Sequence, residues 1–231
     1  MIDGLFSALG IYQGVTAHSA AMNMAIDEAL LQSAEIASVR FYRWHSPALS
    51  FGYFGRFADV AGYQTERDLV RRWTGGGIVF HGDDLTYSIV IPSGDRLFGE
   101  SSMSIYEKIH HALADALASA GASVELASAA GSLNSSDFII DRSYNCFANP
   151  VRADVMIDSR KIAGAAQRRT RRGLLQQGSI QGIDLKQNFT ERFAGALSAN
   201  CVERRIDEEI LSRARVLVSQ KYGTCGWLRK H

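Results

Sequence analysis

The sequence predicts a mixed α/β fold, a central sheet flanked by helices. Short β-like runs arrive in clusters instead of alternating one-to-one with helices, several stretches place apolar residues at helical spacing, and the composition shows no break along the chain. At roughly 150 residues per domain, 231 residues allow one large domain or two small ones. With 3 prolines, no internal repeat and no Pro-rich linker, a single domain over 1–231 is expected.

The elements follow in order. Between Ser19 and Gln32, Met22, Ala25, Ile26, Ala29 and Leu30 recur at i, i+3, i+4 spacing and predict a helix, with Asp27 and Glu28 largely off its apolar face. VRFYRW (39–44) and ALSFGYF (48–54) flank His45-Ser46-Pro47, and a Pro turn between aromatic runs predicts a hairpin. From Asp68, the runs LVRRW, IVF and LTYSIVI are separated by Thr74-Gly75-Gly76-Gly77 and by His81-Gly82-Asp83-Asp84, predicting strand, glycine turn, strand, turn, strand. A second helix is expected over 102–120, where Ile105, Ile109, Leu113 and Leu117 stack and Gly121 supplies the stop. Further strands are expected at 123–126, 136–140, 153–157, 160–167 and 174–181, and helices at 189–198 and 207–220.

Composition excludes several classes. Lys plus Arg number 25 against 24 Asp plus Glu, a net charge of +1, so no basic excess points to nucleic acid or an acidic membrane surface. Cys146, Cys201 and Cys225 are widely spaced with no CxxC pair, which argues against a disulfide framework and a thiolate zinc site and fits a reducing compartment. No apolar run approaches the roughly 20 residues of a membrane span, and the N-terminus has no basic flank of a signal peptide. A cytoplasmic protein is expected.

Three places can carry chemistry. Arg71-Arg72-Trp73-Thr74-Gly75-Gly76-Gly77-Ile78-Val79-Phe80-His81 joins three glycines, which let the backbone approach a ligand, to two arginines able to hold an anion. It is also what a tight turn with solvated arginines looks like. Lys161 leads into small strand residues that would bury its stem and aim its ammonium, or it is an ordinary hairpin-tip lysine. Cys146 is either inert packing or, beside a cation, a thiolate nucleophile. Arg168, Arg169, Arg171 and Arg172 form a basic cluster around a turn, either a solvated loop or a dock for an acidic protein. The 6 histidines form no metal pattern, no metal is expected, and GxSxG is absent.

Together, RRWTGGGIVFHGDDLTYSIVIP (71–92), DVMIDSRKIAGAAQRR (154–169) and LLQQGSI (174–180) resemble the biotin/lipoate protein ligase catalytic domain, in particular the branch of lipoate-protein ligase A and the octanoyl-carrier-protein:protein octanoyltransferases. NMAIDEALL (23–31), SPALSFGYFGR (46–56) and KYGTCGW (221–227) add to the resemblance, which runs in order over nearly the whole chain. It implies a fold related to biotin ligases and class II synthetases, and transfer of a medium-chain acyl group to one lysine of a lipoyl domain. By motif, Arg71, Arg72, Thr74, Gly75, Gly76, Gly77, Val79, His81 and Asp154 would bind substrate. Lys161 would contact the acyl carbonyl or carboxylate, and Gly164 and Ala166 would leave room beside the acyl chain.

The resemblance implies two mechanisms. In one, Cys146 takes octanoyl from acyl carrier protein and passes it to the lipoyl-domain lysine, with no cofactor. In the other, ATP and Mg²⁺ activate free lipoate and Cys146 is a bystander. Gly77 is the more ligase-like feature, while Cys146-Phe147 and DDLTYS (83–88) look like the transferase branch. No accessory C-terminal domain is expected, which favours the transferase. The acceptors would be lipoyl domains of 2-oxoacid dehydrogenases or the glycine-cleavage carrier protein. A catalytically silent homologue that binds acyl groups or carrier domains is the third reading; a biotin ligase is disfavoured because the GRGRxGR-type loop is missing.

Overall fold

The computed structural model describes residues 4–14, 16–119, 121–128 and 150–230. Strands β1 (Leu9–Gln13), β2 (Ala37–Tyr42), β3 (Ala48–Phe51), β4 (Asp68–Arg71), β5 (Ile78–His81), β6 (Leu85–Pro92) and β7 (Val124–Leu126) occupy the first half with helices α1 (Ala20–Ser33) and α2 (Ser102–Ala118). Strands β8 (Val155–Ile157), β9 (Arg160–Arg169), β10 (Gly173–Ile180) and β11 (Cys201–Arg204) follow, with α3 (Phe189–Leu197), α4 (Glu208–Leu217) and the short α5 (Cys225–Leu228). The expected strand at 136–140 and Cys146 lie outside the described residues.

Among the described residues, eight strands form one mixed sheet in the order β11-β1-β2-β6-β10-β9-β8-β7, and three form a smaller sheet, β4-β3-β5. The large sheet packs its apolar residues on both sides. One face buries Val39, Ile89, Ile91 and Leu174 against Ile105, Ile109 and Leu113 of α2 and Phe193 and Leu197 of α3. The other buries Val90 and Leu175 against Met24, Ala25, Ile26 and Leu30 of α1 and Ile210 and Ala214 of α4. Leu49, Phe51 and Val60 form a third, smaller core under the β3 sheet.

Local sequence sets the ends of these elements. The Ser101 hydroxyl accepts the Ser104 N–H at 3.1 Å to start α2, and Gly121, at φ +93°, turns the chain after it. Asp207 caps α4 by accepting the Ile210 N–H at 2.9 Å. The β8–β9 hairpin turns on Asp158 and Ser159, both at positive φ (49° and 59°), the primed turn whose twist suits a two-residue connection.

Two expectations fail. Residues 39–44 and 48–54 do not form a hairpin: β2 is paired on both edges, parallel to β1 and antiparallel to β6, so β3 has no edge there and pairs in the other sheet. His45-Ser46-Pro47 is instead the crossing between sheets, pinned by a bridge of Trp44 to His18. Nor do Asp27 and Glu28 lie off the buried face, because α1 is covered on nearly every side by the large sheet and by α4, and both carboxylates are buried.

Those carboxylates organise the layer. Asp27 Oδ1 accepts from Arg40 Nη1 and Ser88 Oγ, both at 2.8 Å, and Oδ2 accepts from Tyr42 OH at 3.0 Å and Gln177 Nε2 at 2.7 Å. One α1 side chain thereby ties β2, β6 and β10 together. Burial first, then the Asp27 charge, pushes the Tyr42 hydroxyl well above its ordinary value, keeping it a donor. Glu28 accepts from Lys221 Nζ and Tyr222 OH and so docks the segment after α4.

On the opposite face, buried His110 lies between Tyr87 OH (2.9 Å) and the Ala153 carbonyl (2.7 Å). A carbonyl only accepts, so Nδ1 carries the proton and Nε2 accepts from Tyr87. Burial pushes the His110 pKa from 6.5 down to about 4. The unfolded chain therefore binds the extra proton first, and the stability this residue supplies is full above pH 6.5 and falls between pH 6.5 and 4. The loss is on the order of 3 kcal/mol at 1.36 kcal/mol per unit. Urea unfolding across that window should show this slope in the native chain and a shallower one in His110→Gln; parallel slopes would contradict the assignment.

Candidate active site

A half-open pocket of about 490 Å³, solvent-filled mouth included, lies between the two sheets. Ser50, Arg72, Gly76, Val79 and His81 form the small-sheet wall, and Gly164, Ala165, Ala166, Gln177, Gly178 and Ser179 the large-sheet wall. Met24, Tyr42 and Trp44 close it with apolar surface, and Lys161 stands at its side. The antiparallel register sets Gly164 opposite Ser179 and Ala166 opposite Gln177, so small residues hollow out one face of β9.

Lys161 is not a solvated hairpin-tip lysine. It lies one residue inside β9, 9% exposed, with Nζ 2.7 Å from Asp154 Oδ2. Asp154 itself is fully buried and also accepts from Tyr106 OH (2.5 Å) and the Val151 N–H (2.7 Å). The Tyr106 hydroxyl accepts in turn from the Ala165 N–H at 3.1 Å. Burial, then the Asp154 charge, drives Tyr106 far above its ordinary value, so it remains a donor and Asp154 an acceptor. Ala153, at φ 66°, holds the left-handed conformation just before Asp154.

Gly164 is fixed by this pair. A Cβ there would lie 2.5 Å from Lys161 Cε, 2.7 Å from Nζ and 3.0 Å from Asp154 Oδ1. Its bare backbone makes room first for the ion pair, and only through it for an acyl chain.

The triple-glycine segment is held by its carbonyls. Arg72 donates through Nη2 to Gly75 O (3.0 Å) and Gly77 O (2.8 Å), and through Nη1 to Ser50 Oγ (2.7 Å). Gly76 lies at φ 83°, and its carbonyl approaches Gly52 so closely that a Cβ on Gly52 would sit 2.0 Å away. Thr74 Oγ1 donates to Gln177 Oε1 at 2.9 Å, linking the glycine turn to the Asp27 network across the pocket floor. Thr74, Gly75 and Gly77 thus shape the turn, while Arg72, Gly76, Val79 and His81 reach the pocket.

Arg71 is placed elsewhere. On the opposite side of β4 from Arg72, it donates to the carbonyls of Tyr53, Gly55, Trp227, Leu228 and Lys230, and Trp227 Nε1 returns a bond to Arg71 O at 2.9 Å. Adjacent strand residues point to opposite faces, so consecutive arginines cannot both enter one pocket. Arg71 clasps the C-terminal segment, and burial lowers its pKa. Of the basic cluster, Arg169 donates to Phe98 O and Glu100 O, Arg172 to Gln32 O, and Arg168 lies over the rings of Tyr53 and Trp73.

His81 is buried and stacked on Trp44 with ring centroids 4.0 Å apart. Its Nδ1 lies 2.8 Å from Asp84 Oδ2 and its Nε2 2.7 Å from Ser50 Oγ. Burial lowers the His81 pKa against the opposing pull of Asp84, so the ring is neutral at pH 7. Burial would raise Asp84, but bonds from His81, Ser179 and the Gly82 N–H outweigh it and hold the carboxyl below its ordinary value.

Sequence reasoning missed Ser50, Asp84, Tyr106, Gln177 and Trp44. Asp84 lies three residues after His81 in a short turn, a spacing that allows contact; the others come together only through tertiary packing, Tyr106 from α2 and the rest from strands of the two sheets and the segments that flank them. Among the described residues no group of three or more His, Cys, Asp or Glu is placed to hold a metal, and no helix is long and apolar enough to cross a membrane.

Substituting Gly164→Ala should push Lys161 off Asp154 and expose its amine. Acetylation of Lys161 by acetic anhydride, mapped by mass spectrometry, is expected to rise about tenfold, equivalent to about 1.4 kcal/mol of lost pairing. An unchanged rate would show that the pair tolerates the methyl group.

Residues 19–215 match the lipoyl protein ligase A/B catalytic domain family. Octanoyltransferase LipM of Oceanobacillus iheyensis is 40% identical over 173 residues, covering 71% of this chain and 61% of that protein. Octanoyltransferase LipM of Staphylococcus epidermidis is 32% identical over 213 residues, covering 86% and 77%. The chain thus spans less than two thirds of the first relative's length. Among solved structures, a lipoate protein ligase from T. acidophilum with bound lipoic acid superposes at a TM-score of 0.74 with 23% identity, over 97% of this chain and 99% of that one. A lipoate-protein ligase A bound with ATP gives 0.73 with 22% identity, over 97% and 98%. At such identities the superpositions establish the shared fold, and the sequence matches carry the assignment: the chain belongs to the lipoyl protein ligase A/B catalytic domain family.

Proposed function

We propose that this protein transfers an octanoyl group from acyl carrier protein, through a Cys146 thioester, to a lysine of a lipoyl domain. The observation that carries the reading is Lys161, a buried ammonium held by Asp154 at the wall of a pocket lined by Gly164, Ala166, Val79, Met24 and Trp44. An acyl chain buried there gains about 0.8 kcal/mol per methylene. The carbonyl end then meets Lys161, whose charge stabilises the oxyanion of the tetrahedral intermediate, an effect of about 3 kcal/mol per donor. Similarity to octanoyltransferases over most of the chain supports the same reading.

In the first half-reaction the Cys146 thiolate attacks the carrier thioester. A carbon–sulfur bond forms to the enzyme as the one to the carrier breaks, and the carrier leaves as its thiolate. In the second, the lipoyl-domain amine displaces Cys146 and forms the amide. The acceptors are lipoyl domains of 2-oxoacid dehydrogenases or a glycine-cleavage carrier.

A ligase is the alternative. Gly77 favours it, as does the shared fold with a ligase bound with ATP. There, bound ATP and magnesium would activate the carboxyl of free lipoate. The described pocket lining contains no carboxylate for a nucleotide-bound magnesium, and Arg72 already holds the glycine carbonyls, so the residues fit the transferase better.

Lys161→Ala should lower octanoyl transfer by about 10²–10³-fold with the fold intact, the scale of losing one oxyanion donor. Cys146→Ala should eliminate the octanoyl adduct seen by intact-protein mass spectrometry. Full transfer by Cys146→Ala would remove the thioester step, and full transfer by Lys161→Ala would remove the site assignment.

A further inference from the structure

Attack by a lysine amine on a thioester requires that a proton leave the nitrogen. A lysine side chain has an ordinary pKa near 10.4, so at neutral pH a base must take that proton. The described pocket lining offers few groups able to do so. Lys161 and Arg72 are cations, and Asp154 is engaged by Lys161, Tyr106 and the Val151 N–H. Tyr42 is a donor to Asp27. His81 alone among these lining groups presents an unprotonated ring nitrogen able to take a proton.

Its hydrogen bonds run in one direction. Arg72 Nη1 donates to Ser50 Oγ at 2.7 Å, Ser50 and His81 Nε2 are 2.7 Å apart, and His81 Nδ1 and Asp84 Oδ2 are 2.8 Å apart. A carboxylate only accepts, so Nδ1 carries the ring proton and Nε2 receives the Ser50 hydroxyl. Asp84 Oδ2 is further fixed by Ser179 Oγ (2.7 Å) and by Thr86 Oγ1 (2.9 Å), which in turn accepts from Trp44 Nε1. The hydroxyl has one donor and two lone pairs. The donor is on His81 and one lone pair on Arg72, which leaves one lone pair on a residue that lines the pocket.

We propose that Ser50, His81 and Asp84 form the proton relay of the amine-attack step, with Ser50 Oγ receiving the proton of the incoming nitrogen. This rests on the octanoyl-transfer reading. Before the carbon–nitrogen bond forms, one proton of the incoming ammonium passes to Ser50 Oγ and the Ser50 proton passes to His81 Nε2, which frees the nitrogen lone pair for attack. Asp84 holds the resulting imidazolium. When the intermediate collapses, the carbon–sulfur bond breaks, the nitrogen's second proton goes to the leaving thiolate, and the imidazolium gives its proton back through Ser50 to solvent, so relay and enzyme end unchanged. Ser50 is the catalytic residue of the three, and His81 and Asp84 act through it. The charged groups around His81 are Asp84 from the turn before β6, Arg67 and Arg72 at the two ends of β4, and Lys161 across the pocket.

The test separates the two half-reactions. Wild type, Ser50→Ala and His81→Gln are loaded from octanoyl-acyl carrier protein, and the adduct is then chased with a lipoyl domain or with hydroxylamine, whose amine is already neutral at pH 7. Each variant's own rate of adduct formation serves as the reference against which its transfer step is read. Transfer to the lipoyl-domain lysine should slow about 10²–10⁴-fold, the usual worth of a general base, while hydroxylamine still discharges the adduct. Without the relay, lysine transfer by His81→Gln should rise steadily with pH toward the lysine's own range, where free amine forms unaided. Equal slowing with both nucleophiles would overturn the relay and leave a purely structural role, and so would lysine transfer by Ser50→Ala at the wild-type rate. Ser50→Ala removes only one oxygen, so the result does not depend on how His81→Gln folds. Failure of the wild type to form an adduct would instead overturn the octanoyl-transfer reading, and the relay with it.

Discussion

The Asp27 carboxylate is the constraint on which the rest of this structure depends. It is buried on α1 and saturated by Arg40, Ser88, Tyr42 and Gln177. Breaking such a buried pair by removing one partner typically costs about 3–5 kcal/mol, because the other charge is left without compensation. Its geometric effect matters more than its net energy. The four donors come from β2, β6 and β10, so the helix and three central strands have one permitted register. Gln177 then passes the constraint through Thr74 to the glycine turn, placing the second sheet at a fixed distance from the first. The pocket is the gap that this distance leaves.

The gap is usable because one wall is small and the other is tied down. Gly164 and Ala166 keep β9 low where depth is needed, while the missing side chain of Gly178 makes room for the Tyr87 ring on the other face. Opposite, Arg72 uses its guanidinium to hold two glycine carbonyls and Ser50, converting a flexible Gly-Gly-Gly segment into a shaped edge. Charge is arranged in two compartments around an apolar middle. Lys161–Asp154 stands on the large-sheet side, and Arg72–Ser50–His81–Asp84 on the small-sheet side. A reaction that develops negative charge on an oxygen and releases a proton from a nitrogen needs one of each.

Much of this was legible in the sequence. The α2 helix, the β8–β9–β10 strands and the glycine turn follow from local periodicity and turn chemistry, which depend on neighbours in the chain. Lys161, Gly164, Val79 and His81 were identified from motifs, and the pocket brings them together. The failures are tertiary. Asp27 and Glu28 look like surface positions on a helical wheel, but Asp27 meets buried donors on β2, β6 and β10 and Glu28 is covered by the segment around Lys221 and Tyr222. The expected β2–β3 hairpin failed because β6, forty residues later, takes the edge that β3 would have used. Arg71 was assigned to the pocket with Arg72, although strand alternation sends one of any adjacent pair to the other face. Ser50 carried no sequence signal as a partner of His81, since the contact between β3 and the end of β5 exists only once the small sheet has formed.

The most direct measurement of the central claim is the mass of a lipoyl domain incubated with this protein and octanoyl-acyl carrier protein in the absence of any nucleotide. A single octanoyl group on the domain's target lysine is the result the account predicts. Modification that appears only with free acid and ATP, and never from the thioester, would contradict it.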